Sequence, residues 1–229
     1  MTTSLQTFCG TYWYATVEQL ASFTSHQQAT SPEFSRRVSP GKRGDTVLEF
    51  HDLILEGKAT LRSTHIEGPN AAIFNTMIFP SDVDHCPVFA SEIVSFGGKP
   101  QVAVIDLQPL GNARLRRDVE EKLATLADRY GELPGSGEVP DWCEDYFTTH
   151  AIFSRPKSSE YDDVLLRAYA DYLQVFVDYL KAAGSCSLPD PRTREYKDHH
   201  VANNPGLKFL GRMFGEQWTL DFLNNAMYA

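Results

Sequence analysis

From Thr46 to Leu107 the chain alternates with a two-residue period through five segments parted by turn residues. The segments are 46–55, 58–66, 71–79, 87–96 and 101–107. The breaks are Gly57, Gly68-Pro69-Asn70, a stretch opened by Pro80, and Gly97-Gly98-Lys99-Pro100, which reads as a hairpin loop. A parallel crossover takes about a dozen residues or more, so connections this short leave only an antiparallel meander. Residues 150–154, closed by Arg155-Pro156, read as a sixth strand.

Helical spacing surrounds this block. In 114–130, Leu115, Val119, Leu123 and Leu126 recur on one face. In 161–183 the stripe is Val164, Leu165, Ala168, Tyr172, Val175, Phe176 and Tyr179, with Gly184 as the stop. Shorter helices are expected at 192–201, 207–214 and 217–226, and near the N-terminus where Val17, Leu20 and Phe23 follow Tyr12-Trp13-Tyr14. Stretches 35–45 and 132–141 read as loops. Strands massed together with helices around them indicate an α+β fold of about six strands, in one domain over residues 1–229.

Three strands carry a polar residue on an otherwise apolar face. Glu92 shares its face with Val88, Ala90, Val94 and Phe96; Asn75 with Ile73, Met77 and Phe79; Asp106 with Val102 and Val104. A carboxylate in such a place must be paired or protonated with a raised pKa, and a neutral acid facing a pocket can give up its proton. The alternative is an edge strand with Glu92 in water. Three such residues on successive strands can converge on one cavity. Asp106 can equally cap the exit toward Gln108-Pro109, and Asn75 can satisfy neighbouring backbone groups. Asn204, before Pro205, is biased out of the helical region and sits at a joint where a side chain can be aimed inward. On spacing alone, however, the favoured reading is the N-cap of the next helix, with Pro205 at its first position. His199 and His200 are adjacent, would point apart on a helix, and read as surface histidines.

Function classes narrow by exclusion. The net charge of −9 argues against nucleic acid and against anionic membranes. Cys9, Cys86, Cys143 and Cys186 are scattered, which suggests no zinc or iron–sulfur site and fits a reducing cytoplasm. No stretch is long and apolar enough to span a membrane. With no GxGxxG, P-loop or HExxH pattern, redox chemistry would need electrons from outside.

Ordered blocks then carry a resemblance. They are Lys58-Ala-Thr-Leu-Arg-Ser63, Ile73-Phe-Asn-Thr-Met-Ile-Phe-Pro80, Pro87-Val-Phe-Ala-Ser-Glu-Ile-Val94, Val104-Ile-Asp-Leu-Gln-Pro109, Ile152-Phe-Ser-Arg-Pro156, and the run from Asn204 to Trp218. In order and spacing the chain resembles the ferredoxin-dependent bilin reductases. The resemblance implies a three-layer α/β/α sandwich, with a linear tetrapyrrole bound between the sheet and the C-terminal helices. It also implies no bound cofactor, reduced ferredoxin as external electron donor, bilin radicals, protons from side chains, and a monomer. Glu92 falls where most members have a catalytic aspartate. Asn75 falls where phycocyanobilin-forming members have histidine and several phycoerythrobilin-forming members asparagine. Asn204 falls where many have a second catalytic aspartate. Arg155 or Arg62 is expected to pair a propionate, with Ser91, Asp106, Met77 and Leu207 completing the substrate-binding set.

Two positions depart from the family pattern. Glutamate at 92 keeps the acid but moves it by a methylene, as in the related red chlorophyll catabolite reductases. The amide of Asn204 cannot protonate a bilin. The expected activity is reduction of biliverdin or a dihydrobiliverdin to a phycoerythrobilin-type product. The alternatives are a red chlorophyll catabolite reductase-like enzyme, a non-catalytic bilin carrier, or an unrelated domain. An acidic chain meeting an acidic ferredoxin needs a local basic patch, and Arg36, Arg37, Lys42 and Arg43 are the candidate, with a solvated loop as the alternative.

Overall fold

The alternation in 46–107 becomes a continuous antiparallel meander, β3 (Thr46–Leu55), β4 (Ala59–Glu67), β5 (Ala71–Pro80), β6 (Val88–Phe96) and β7 (Lys99–Gln108). The computed structural model describes residues 7–28, 30–55, 57–135, 139–185 and 190–229; Cys186 and part of the 132–141 loop lie outside them. The β6–β7 connection is tighter than the four-residue loop expected. Gly97 and Gly98 alone make the turn, with φ of 60° and 72°, the left-handed pair that a two-residue hairpin requires.

The sheet has eight strands rather than about six. The expected sixth, β8 (Ile152–Ser154), pairs with β7. The two additions, β1 (Ser25–Gln27) and β2 (Arg36–Ser39), pair with opposite ends of β3 and share that edge. So part of the 35–45 stretch is strand. Arg36 and Arg37 are exposed there and give no alternation to read, and charged residues on an edge strand discourage further pairing.

Helices cover both faces. On one lie α1 (Phe8–Leu20), α3 (Ala113–Arg129) and α4 (Asp162–Ala182), packed on Leu61, Phe74, Ile78, Phe89, Ile93 and Ile105. The α4 stripe buries Leu165, Ala168, Tyr169, Tyr172, Leu173, Phe176, Val177 and Leu180, while Val164 and Val175 are only half-buried. α1 buries Cys9, Tyr12, Thr16 and Leu20 instead of the Val17–Leu20–Phe23 stripe; Val17 is exposed and Phe23 lies past the helix end. On the other face lie α2 (Pro32–Ser35), α5 (Pro191–Asn203), α6 (Leu207–Phe214) and α7 (Glu216–Phe222), the last running into a π turn at Leu223–Met227. They pack on Leu48, Phe50, Ile66, Ile73, Met77 and Val88. The result is the three-layer α/β/α sandwich. Among the described residues no helix is long and apolar enough to cross a membrane.

Candidate active site

Strand register decides which side chains meet. Across the sheet, Phe50 pairs with Thr64, Thr64 with Asn75, Asn75 with Glu92, Glu92 with Val104, and Val104 with Phe153. Side chains directly opposite on one face stand about 4.5–5.5 Å apart at Cβ, so Asn75 and Glu92 are neighbours. This row faces α5, α6 and the C-terminal turn, and a cleft of about 360 Å³ opens between them. Small-molecule pockets run from about 300 to 1,000 Å³ and are mostly apolar with a few placed polar groups. Here Ile66, Ile73, Met77, Ala90 and Leu210 supply the apolar wall.

Glu92 is half-buried, lines the cleft, and has no hydrogen-bond or ion-pair partner among the described residues. Desolvation alone pushes its carboxyl above the usual range. Of the two outcomes open to a carboxyl there, pairing is not found among the described residues, and burial raises the pKa instead. Opposite it, the Asn75 side-chain oxygen is buried and has no partner among the described residues, so it is not accepting from a neighbouring backbone N–H there. Tyr228, buried and also lining the cleft, has its phenol pKa raised by burial first and by the Glu92 charge second.

The helical wall is built by α5. Tyr196, His200 and Asn204 are spaced by four, hence on one face, and all three line the cleft. Asn204 ends α5 with extended backbone (φ −60°, ψ 112°), as a residue before proline should. Its side-chain oxygen accepts from the Gly206 N–H at 2.8 Å, a turn that aims the chain into α6. The expected N-cap is thus corrected: Gly206, not Asn204, immediately precedes α6, and Asn204 is the C-cap of α5. His200 is not a surface residue but buried, and burial pushes its pKa down to about 4. Its Nδ1 lies 2.9 Å from the Tyr196 carbonyl, which can only accept, so Nδ1 carries the proton.

Met77 and Arg155 also line the cleft, Arg155 at an exposed mouth with its guanidinium 5.5 Å from the Phe153 ring centroid. Ser91 borders the cleft, but the strand period turns its side chain toward Phe89 and Ile93 on the opposite face. Three expected residues are elsewhere. Arg62 is buried one row away, 3.6 Å from Asp52, and donates to the backbone oxygen of Ala229 at 2.7 Å, so it has no open side for a propionate. Asp106 is fully buried and accepts from the Thr148 backbone N–H at 2.9 Å and hydroxyl at 2.6 Å, pinning the loop before β8. Leu207 packs on the apolar cluster behind the cleft, leaving Phe209 and Leu210 of α6 to line it. Missed by the sequence reading were Thr64, Gln108, Trp142, Tyr196, His200 and Tyr228. The Tyr196–His200–Asn204 spacing was a usable signal; Trp142 and Tyr228, outside regular helices and strands, gave none.

Known proteins are similar to this chain. The chain is 25% identical over 222 residues to the 15,16-dihydrobiliverdin:ferredoxin oxidoreductase of Gloeobacter violaceus, covering 92% of this chain and 91% of that one. It is 27% identical to the phycoerythrobilin:ferredoxin oxidoreductase of Parasynechococcus marenigrum, over 70% of this chain and 66% of that one. The tomato phytochromobilin synthase solved in complex with biliverdin superposes with a TM-score of 0.83 over 94% of this chain and 80% of that one; at 21% identity it speaks for the fold alone. The family profile described as ferredoxin-dependent bilin reductase matches residues 15–229, a span that includes every strand of the sheet and all walls of the cleft. The chain therefore belongs to the ferredoxin-dependent bilin reductase family.

Proposed function

We propose that the protein reduces a linear tetrapyrrole, biliverdin or a dihydrobiliverdin, with electrons from ferredoxin and with Glu92 as principal proton donor, giving a phycoerythrobilin-type product. The observation that carries this reading is the unpartnered Glu92 carboxyl of raised pKa, set opposite Asn75 on the floor of an apolar cleft. Each reduction adds two electrons and two protons across one double bond. A one-electron carrier delivers the electrons singly, so the ligand passes through a radical whose basicity draws the proton from Glu92. Asn75 offers an amide where an imidazole would be a second proton source, which favours the phycoerythrobilin-type outcome over the phycocyanobilin one.

Electron entry is proposed at the β2 edge. Arg36, Arg37, Lys42 and Arg43 are all exposed there, although Arg36 lies 3.7 Å from Glu49. Arg37 stands 5.3 Å over the Trp218 ring, and Trp218 stacks on Phe222 at 5.2 Å with 4° between planes. Phe222 lines the cleft, so one aromatic stack separates the basic edge from the ligand. An acidic ferredoxin complements that edge.

The test is anaerobic incubation with biliverdin and reduced ferredoxin, followed by chromatography of the products. A reduced phytobilin is expected. Stoichiometric, spectrally shifted binding without product would make the protein a carrier. Turnover of red chlorophyll catabolite in place of biliverdin would change the substrate class.

A further inference from the structure

Gln108, at the end of β7, is fully buried on the cleft face, directly opposite Val88 of β6. The Tyr196 hydroxyl donates to its side-chain oxygen. Tyr196 is itself immobilised, with the His200 ring tilted against it at 4.0 Å, Tyr146 edge-on at 5.0 Å and Phe79 at 6.2 Å. One end of the amide is therefore held, and the other, the Gln108 side-chain nitrogen, is buried with no partner among the described residues while the residue lines the cleft. A buried N–H left unpaired is costly, and nothing else in the sheet requires this one.

We infer that Gln108 is a ligand-positioning residue, donating from its amide nitrogen to a terminal lactam carbonyl of the bound tetrapyrrole. The inference rests on the function proposed above and adds to it a group that sets the ligand's direction in the cleft. Gln108 lies four residues beyond Val104, the partner of Glu92, hence about 13 Å along the strand from the acid. A carbonyl anchored at that end decides which part of the ligand lies over Glu92. The sequence of contacts, Tyr196 hydroxyl to Gln108 oxygen and Gln108 nitrogen to ligand carbonyl, has the correct donor and acceptor at each step. Because the amide is locked before the ligand arrives, little side-chain entropy is lost on binding.

The experiment measures biliverdin affinity by absorbance titration, together with the melting temperature, for the wild type, Gln108→Met and Tyr196→Phe. Gln108→Met is expected to weaken binding about three- to tenfold, the scale of one net hydrogen bond, and Tyr196→Phe by less, since the donor remains. Gln108→Glu supplies an arm that does not depend on how well the methionine packs. Its neutral carboxyl still donates, so affinity relative to the wild type should be near normal at low pH and fall as the carboxyl ionises. Asp106, Tyr146, Tyr196, His200 and Tyr228 surround the site in both proteins, so that ratio reads residue 108. Gln108→Met within twofold of the wild type would overturn the inference. Equal losses in Gln108→Met and Tyr196→Phe, with no added pH dependence in Gln108→Glu, would overturn it too. A wild type that does not bind biliverdin removes the functional reading and this inference together, whereas a binding wild type with indifferent variants removes only the inference.

Discussion

Replacing Glu92 by glutamine preserves the shape of the side chain and removes its proton. The floor of the cleft then offers only amides and hydroxyls, since Asn75 and Thr64 are the polar neighbours in its row. Loss of a positioned general acid costs about 10²–10⁴ in rate, or roughly 3–5 kcal/mol of transition-state stabilisation. The apolar contacts that hold the ligand are untouched, so biliverdin affinity should change by less than about threefold, under ~1 kcal/mol. Glu92→Asp retains the acid but draws it back by one methylene, and a misplacement on the order of 1 Å is worth about 10² in rate. The assay is anaerobic single turnover with pre-reduced ferredoxin, read by absorbance and electron paramagnetic resonance. In Glu92→Gln the electron still arrives while the proton does not, so a bilin radical should accumulate. The wild-type rate should fall as pH rises through the elevated Glu92 pKa, because the protonated form is the donor, and this limb should vanish in Glu92→Gln. Near-normal turnover by Glu92→Gln, or an unchanged pH limb, would refute the assignment.

Other residues make separate predictions. Arg155→Gln should weaken biliverdin binding roughly tenfold through loss of a charge-assisted contact to a propionate, and leave binding of the dimethyl ester unchanged; equal loss for both ligands would contradict it. Arg62→Ala should lower the unfolding free energy by about 3–5 kcal/mol in urea titrations by leaving Asp52 buried without its cation, with no discrimination between acid and ester ligands. Asp106 has its pKa raised by burial to about 7, so the folded protein holds a proton that the unfolded chain has already released above pH ~4. Its stability contribution is fully present below that lower value and is lost as pH rises through about 7, worth about 4 kcal/mol in all, and Asp106→Asn should flatten this slope in denaturant titrations. Reversing charge with Arg36→Glu and Arg37→Glu should raise the KM for ferredoxin and reduce its salt dependence, while biliverdin affinity stays constant.

The meander was legible because each of its strands has at least one face committed to an apolar layer, which imposes alternation on the residues. The β1 and β2 edge carries no such obligation: Ser25–Gln27 is exposed throughout and Arg36–Ser39 is exposed or half-buried, so its pairing left no periodic trace. The same logic divides the site. Glu92 and Asn75 could be found because a polar residue on an apolar face breaks a pattern. Asp106 breaks it equally well, and only the Thr148 contacts distinguish an anchor for a loop from a group offered to a ligand. On α5 there is little apolar pattern to break. His200 is therefore indistinguishable from a solvated histidine until the helix is docked. Arg62 misled for a different reason: the resemblance offered it as a partner for a propionate, and the anion beside it is Asp52 of the neighbouring strand.

The two walls of the cleft differ in what they can do with a proton. The sheet wall holds Glu92, a carboxyl whose pKa desolvation raises. The helical wall holds Asn204, whose oxygen already accepts from Gly206, and His200, neutral, with its proton committed to the Tyr196 carbonyl. Asn204, an amide, has no acidic proton to give, and neutral His200 cannot act as an acid until it is protonated. On the proposed function, proton delivery is then one-sided, from the sheet face of the ligand, and each further proton must reach Glu92 from water entering past Arg155. Each two-electron reduction takes two protons and a carboxyl gives one at a time. Glu92 must therefore be recharged from solvent within every reduction, the first included, and turnover waits on that recharging. That restriction follows from where the charges are buried, whatever the bilin.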